Sequence, residues 1–154
     1  MQSLLCPIWQ SKLCNYKYNM NLTTKASSKD VGVINAGFEN VEPIKVAAKS
    51  VLEKHPGAWS PVHMLVSAAE TCFWVTFSMI AEKARVGVKS VESEAEGVME
   101  SKDGKHFAIT AIKIRPTVHL VNESDRSRLP ELYKKAEEYC VVGNSFNFKV
   151  EVAL

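Results

Sequence analysis

The 154-residue chain carries little net charge, since 19 lysines and arginines oppose 17 aspartates and glutamates. It has no basic stripe of the kind that binds phosphate backbones, which argues against a nucleic-acid partner. Its amino terminus lacks the basic region and the cleavage site of a signal peptide, and Pro7 interrupts its apolar patch. The longest apolar stretch, Met64 to Ile80, contains Glu70 and is shorter than the ~20 residues that cross a bilayer. We therefore expect a soluble, cytoplasmic protein with no membrane partner.

The length is that of one domain, and we expect a single domain over residues 1–154 whose first 30 residues are poorly patterned. Apolar and polar residues alternate over 13–22, which predicts a strand, and 31–38 predicts a second one. The segment from Pro43 to Gly57 fits either a helix or a strand.

The clearest predicted element is a long helix that begins at Ser60-Pro61. Serine supplies the capping oxygen, and proline at the first helical position gives up an amide that has no partner there. Gly87 is expected to end this helix. Because the helix is apolar nearly all round, it must be buried centrally, and a second copy of the chain is expected to cover what one copy leaves open. The pattern thus predicts an intimate homodimer.

The carboxyl-terminal half reads as a hairpin, a second helix and a final strand. Alternation over 88–99 and 107–120 predicts two antiparallel strands joined by the turn 102–105, with a bulge between Ala111 and Ile112. A helix that Gly143 ends follows, and residues 146–154 alternate as a terminal strand. This order of elements predicts an α+β fold with segregated helices and antiparallel sheet.

The four cysteines divide into two groups. Cys6 and Cys14 have a spacing that matches no common zinc or redox motif, and we treat them as incidental. Cys72 and Cys140 lie on the apolar stripes of the two predicted helices, where free cysteine often serves as a small core residue. The competing interpretation is a thiol pair used for redox chemistry, since a structural disulfide is unlikely without secretion.

Four segments resemble the OsmC/Ohr family, the osmotically inducible and organic hydroperoxide resistance proteins. They are AWSPVHMLVSAAETCFWVTFSMIAEK, VESEAEGVMES, AITAIKIRPTVHL and AEEYCVVGNSFNFKVEV, and the similarity extends from about Pro43 to the end of the chain. The resemblance implies an OsmC-like fold, in which antiparallel sheets wrap two central long helices in an intertwined homodimer. It also implies a thiol peroxidase that reduces organic hydroperoxides without a metal or other cofactor.

By position, the resemblance makes Cys72 the peroxidatic cysteine and Cys140 the resolving cysteine. Attack on the peroxide would leave a sulfenic acid on Cys72, Cys140 would condense with it to a disulfide, and an external dithiol, with the lipoyl type as one candidate, would reduce the pair. The predicted partners are therefore a second subunit, an organic hydroperoxide and a dithiol.

The group that activates Cys72 is left open by the sequence. His63 is about 13 Å away along the helix axis, and Glu70 points about 200° round from Cys72. Glu70 could act across a dimer or simply face a wet gap or a lysine. The remaining candidates are basic side chains from other segments, namely Lys45, Lys49, Lys54, His55 and Arg115.

Two departures from the family pattern support a second hypothesis. The family's Glu after the helix-opening proline is replaced by Val62, and no arginine precedes Arg85. The alternative function is therefore a degenerate OsmC-like dimer that binds a small hydrophobic ligand without efficient turnover.

Overall fold

The computed structural model describes residues 24–30, 33–37, 39–48, 54–101 and 103–153. The predicted strand over 13–22 lies outside these residues, as do Cys6 and Cys14. The elements are β1 (Lys25–Asp30), β2 (Val33–Gly37), β3 (Ile44–Ala47), α1 (Pro61–Lys83), β4 (Val88–Ser101), β5 (Phe107–Leu120), α2 (Leu129–Tyr139) and β6 (Lys149–Val152). Single 3₁₀ turns occupy Glu123–Arg128 and Gly143–Ser145. The α+β fold is confirmed.

The first sheet has the order β1-β2-β3, with both pairs antiparallel. Strand β2 confirms the strand predicted near 31–38, whereas the polar segment that forms β1 carried no alternation to reveal it. In the ambiguous segment after Pro43, the strand alternative is correct over Ile44–Ala47. There β-branched Val46 and its neighbour Ala47 are buried, and their pairing with β2 supplies the backbone partners that a helix would have made internally.

Helix α1 begins as predicted, because Ser60 Oγ accepts a hydrogen bond from the His63 N–H at 3.1 Å. The prediction that Gly87 ends it is wrong. The helix stops at Lys83, and Arg85 adopts a left-handed φ of 56°. The N–H groups of Arg85 and Val86 donate back to the carbonyls of Glu82 and Ala81, which is the Schellman arrangement with arginine at the position that usually holds glycine.

The second sheet has the order β4-β5-β6. Strands β4 and β5 form the predicted antiparallel hairpin, whereas β6 pairs with β5 in parallel. The extra bulge residue is Thr110, one position before the predicted site, since Val98 faces Ala111 and Met99 faces Ile109. The final strand covers only Lys149–Val152 of the predicted 146–154.

The core lies between this sheet and the two helices. One face of α1 is buried against α2, β4 and β5, and its largest fully buried side chains are Phe73 and Phe77. Both aromatic rings contact Tyr133 of α2, with centroid distances of 6.1 and 5.2 Å. Packing of α1 against α2 is what brings the Cys72 turn toward the end of α2.

Candidate active site

Cys72 lies on the flank of α1 and is half-buried. Its neighbour Phe73 is buried in the core, while the next turns on the Cys72 side expose apolar residues. Leu65, Val75 and Met79 are 37%, 63% and 42% exposed. The sulfur of Cys72 therefore stands where the protein core meets an open apolar helix face.

Cys140 is the residue that directly follows α2, and its side chain is only 3% exposed. Its extended backbone ends the helix and turns the chain into the 3₁₀ turn that begins at Gly143. The Gly143 N–H donates a hydrogen bond to the Cys140 Sγ at 3.4 Å. A Cβ built on Gly143 would lie 3.3 Å from the same sulfur, so glycine is the residue that adds no side chain against it.

The side chains of Cys72 and Cys140 are neighbours, close enough for the Cys72 thiol to affect the pKa of the Cys140 thiol. Burial raises the pKa of the Cys140 thiol to about 11. The backbone N–H groups of Gly143 and Val142 act in the opposite direction, and the Cys72 thiol adds to the upward shift. The structure thus brings together the two candidate catalytic cysteines, with Cys140 held as a neutral thiol at ordinary pH.

An open cleft of about 480 Å³ lies beside Cys140. Among the described residues, Cys140 contributes to its wall and Cys72 does not. The stacked rings of Phe146 and Phe148, whose centroids are 4.7 Å apart, form an apolar wall. Its polar wall contains two carboxylates and an ammonium group, from Glu137, Glu138 and Lys149.

Glu70 is engaged on the other flank of α1. Its carboxylate accepts a hydrogen bond from the Ser93 hydroxyl of β4, and Ser93 Oγ in turn accepts one from Trp74 Nε1 at 2.7 Å. This places Glu70 about 200° round the helix from Cys72, as its spacing predicted. Within this chain the partner of Glu70 is therefore a serine of β4, a contact that the sequence did not predict.

The other candidate assisting residues also have neighbours other than Cys72. His63 Nδ1 lies 2.7 Å from Ser60 Oγ, so this side chain belongs to the cap of α1. Arg115 points out of the second sheet, where its guanidinium donates to Glu96 at 2.8 Å. Lys45 is exposed on β3 and Lys54 is exposed before α1. His55 is half-buried in the turn at 54–57, and Lys49 lies outside the described residues.

Three residues around the thiols were missed by sequence reasoning. Ser93 faces α1 on a strand whose alternation was read correctly, so its inward position was the available signal. Gly143 was predicted to end the second helix, which is wrong because α2 stops at Tyr139, and its place three residues after Cys140 instead puts its N–H within reach of the sulfur. Phe148 was assigned to the final strand and in fact lines the cleft just before it.

Within the described residues, no group of three or more histidine, cysteine, aspartate or glutamate side chains could hold a metal ion. The chemistry available here is that of two neighbouring thiols beside an apolar surface and a cleft. The fold and the site together define an α+β protein with a juxtaposed thiol pair.

Length and composition alone would allow α1 to cross a bilayer, because it has 23 residues and its most apolar window has a mean hydropathy of 1.5. The helix extends beyond the apolar stretch from Met64 to Ile80 at both ends. Core helices of soluble proteins have the same composition, and Phe73 and Phe77 bury the inner face of α1 in the protein core. The packing favours a soluble protein.

Comparison with known proteins identifies the family. Residues 54–154 match the OsmC-like protein family, and the chain belongs to it. An uncharacterized protein of Bacillus subtilis (strain 168), YmaD, is 25% identical over 146 residues, which cover 92% of this chain and 94% of the relative.

Solved structures share the fold. An OsmC-like protein of unknown function from Vibrio cholerae superposes with a TM-score of 0.77 at 20% identity, over 87% of this chain and 99% of that one. An organic hydroperoxide resistance protein OsmC from Legionella pneumophila superposes with a TM-score of 0.67 at 19% identity, over 90% of this chain and 97% of that one. The organic hydroperoxide resistance protein OhrB of Bacillus subtilis superposes with a TM-score of 0.66 at 15% identity, over 88% of this chain and 98% of that one. The predicted OsmC-like fold of the chain is thereby confirmed, and the homodimer stays a prediction.

Proposed function

We propose that this protein is a thiol peroxidase that reduces organic hydroperoxides, with Cys72 as the peroxidatic and Cys140 as the resolving cysteine. The observation that carries the proposal is the proximity of two thiols that lie far apart in the sequence. A pair of core cysteines has no need to meet, whereas a disulfide-forming cycle requires it.

The proposed cycle has three steps. The Cys72 thiolate attacks the terminal oxygen of ROOH, the O–O bond breaks, and with one proton taken up the products are ROH and a sulfenic acid on Cys72. The Cys140 sulfur then attacks the sulfenic sulfur, and water leaves as the disulfide forms. A dithiol finally reduces this disulfide and is itself oxidised to a disulfide.

The two roles are assigned by exposure and protonation. Cys72 is half-buried at an open helix face, so a peroxide can reach it there, while Cys140 is 3% exposed and borders only the separate cleft. Burial raises the pKa of the Cys140 thiol, which keeps this sulfur poorly nucleophilic until a sulfenic acid stands in contact with it. An incoming peroxide therefore oxidises Cys72 first.

The preference for an organic peroxide rests on the apolar surroundings of Cys72 and on the family. Leu65, Val75 and Met79 present hydrocarbon on the same side of α1 as the sulfur. Related structures from Legionella pneumophila and Bacillus subtilis are named organic hydroperoxide resistance proteins. An alkyl group would bury apolar surface here that hydrogen peroxide cannot.

We further propose that the active form is a cytoplasmic homodimer in which a second copy covers this open face of α1. A contiguous apolar face is costly to leave in water, and the face lies beside the reactive sulfur. Since His63, Glu70 and Arg115 have other partners, the group that activates Cys72 comes in this proposal from the second subunit or from a segment outside the described residues.

The test is turnover of cumene hydroperoxide with dihydrolipoamide as the reductant. In a Cys6→Ser/Cys14→Ser background, we expect catalytic consumption and loss of two thiols as a Cys72–Cys140 disulfide. Cys72→Ser should abolish turnover, and Cys140→Ser should leave a sulfenic acid that dimedone traps. Asn147→Ala, an exposed substitution away from both sulfurs, is the matched control. Equal thiol loss in Cys72→Ser would contradict the proposal.

The alternative function is a degenerate family member that binds a small hydrophobic ligand. It is favoured by Val62 in place of the expected glutamate, and by the absence of arginine before Arg85. The same assay separates the two functions, because a binding protein would show one stoichiometric oxidation or none.

A further inference from the structure

The two sulfurs of the candidate site face different surroundings. Cys72 stands at the open apolar face of α1, while Cys140 forms part of the wall of the cleft beside Phe146 and Phe148. We propose that the dithiol reductant enters through this cleft and attacks the Cys140 sulfur of the disulfide, so that Cys72 is the first thiol released. This inference rests on the proposed peroxidase function and assigns the reducing half of its cycle to a separate surface.

Gly143 adds no side chain between the cleft and the Cys140 sulfur. Gly143 lines the cleft, and a Cβ at this position would lie 3.3 Å from Sγ, within the space that an incoming sulfur needs. Thiol–disulfide exchange requires direct access to the sulfur that is attacked. Every other residue type would place a Cβ against the Cys140 sulfur on that side.

Leaving-group chemistry favours the same sulfur for the first, intermolecular step, since Cys140 is then expelled only in the second, intramolecular step. Attack at Cys72 would expel Cys140 as a thiolate, and burial raises the pKa of that thiol, which makes it a poor leaving group. Attack at Cys140 instead expels Cys72, whose side chain is half-buried at the helix face. The geometry of the cleft and the chemistry of exchange therefore select the same sulfur.

The lining of the cleft suits a dithiol on an apolar, uncharged arm. The stacked rings of Phe146 and Phe148 offer hydrocarbon contact. Glu137 and Glu138 bring negative charge, while the Lys149 ammonium is paired with Glu151 at 2.8 Å. Dihydrolipoamide, which is neutral, is therefore the probe of choice.

The exchange proceeds in two balanced steps. One thiolate of the dithiol bonds to the Cys140 sulfur, the Cys72–Cys140 bond breaks, and Cys72 leaves with the electron pair and takes up a proton. The second thiol of the reductant then attacks the reductant sulfur that is bonded to Cys140, and Cys140 leaves and takes up a proton. The dithiol is oxidised to a cyclic disulfide, and both cysteines are reduced.

The first experiment locates the mixed disulfide in the Cys6→Ser/Cys14→Ser protein. After oxidation by one equivalent of cumene hydroperoxide, the protein reacts with dihydrolipoamide that carries one S-methyl group, which can form the mixed disulfide but cannot resolve it. Acid quenching at early times, thiol alkylation and tryptic digestion separate Cys72 on residues 55–83 from Cys140 on residues 136–149. We expect the adduct on Cys140 and the alkyl group on Cys72.

The opposite labelling, with the adduct on Cys72, would overturn this inference and leave the proposed peroxidase intact. Failure of the disulfide to form at the outset would instead overturn the proposed function. The two failures are thus distinguishable in one experiment.

The second experiment uses Gly143→Ala, with Asn147→Ala as the control. Rates of disulfide reduction and of peroxide oxidation are measured separately by stopped flow. The added methyl should slow reduction by roughly tenfold relative to oxidation, because small displacements of reacting groups have large effects on rate. An unchanged ratio in folded Gly143→Ala would contradict attack at Cys140.

Discussion

The thiol of Cys140, buried at the end of α2, lies beside the thiol of Cys72 on the flank of α1. Phe73, the residue after Cys72, packs against Tyr133 of α2, so the proximity of the sulfurs depends on the packing of the two helices. The thiol pair is therefore coupled to the stability of the core as well as to the proposed chemistry.

The stability of the reduced protein should fall above about pH 9. Burial raises the pKa of Cys140 from 9.0 to about 11, so between these values the unfolded chain loses a proton that the folded chain keeps. The free energy of unfolding that this shift adds is fully present below pH 9 and is lost as the pH rises through 11. The loss is roughly 2 to 3 kcal/mol for two pKa units.

Urea titrations at pH 7, 9 and 10.5 measure this effect, with Cys140→Ser as the comparison. Burial also raises the pKa of Tyr133, which acts in the same direction and remains in the variant. If the wild-type and Cys140→Ser free energies of unfolding had the same pH dependence, the assignment to Cys140 would be wrong.

Ser93→Ala should destabilise the protein by about 1 to 3 kcal/mol. The change removes the hydroxyl that joins Glu70 to Trp74, and it leaves a carboxylate and an indole N–H in a half-buried site without that partner. Denaturant unfolding measures the loss, and the fluorescence of Trp74 should report the changed environment. Exposed Thr117→Ala on the outer side of β5 is the control, for which a change within about 0.5 kcal/mol is expected.

Gly97→Ala should destabilise the protein by about 1 to 3 kcal/mol through overpacking. A Cβ on Gly97 of β4 would lie 2.6 Å from Cγ2 of Val66, which is buried on α1. The double variant Gly97→Ala/Val66→Ala should lose less stability than the sum of the two single variants, because truncation of Val66 makes room for the methyl group. If the losses in free energy of unfolding were strictly additive, the contact with Val66 would not be the cause of the destabilisation by Gly97→Ala.

Arg85→Gly should stabilise the protein by about 0.5 to 1 kcal/mol. Arg85 holds a φ of 56° at the end of α1, a conformation that glycine adopts without the Cβ penalty. Arg85→Ala is the matched variant, since it removes the same side chain and keeps the Cβ. If Arg85→Ala raised the thermal stability as much as Arg85→Gly, the gain would come from loss of the arginine charge and not from relief of the left-handed φ.

Several parts of this protein followed from local sequence. The Ser60-Pro61 start of α1, the β4–β5 hairpin and the α+β order were predictable because capping, alternation and turn residues act over a few positions. The two cysteines could be singled out because each lies on the apolar side of a helix. Glu70 could be placed away from Cys72 because helical rotation alone sets the angle between them.

Other features were decided by tertiary structure. Strand β1 is polar and owes its existence to pairing with β2, and Arg85 takes the left-handed position because the packing of Val86 fixes the helix end. The Ser93 bridge joins residues from two elements, and so do the pair of neighbouring sulfurs and the cleft beside Cys140. Sequence specified which side chains are present and which face of an element each occupies. Only the packing of α1 against α2 and β4, a sum of many small long-range contacts, determined which of them meet.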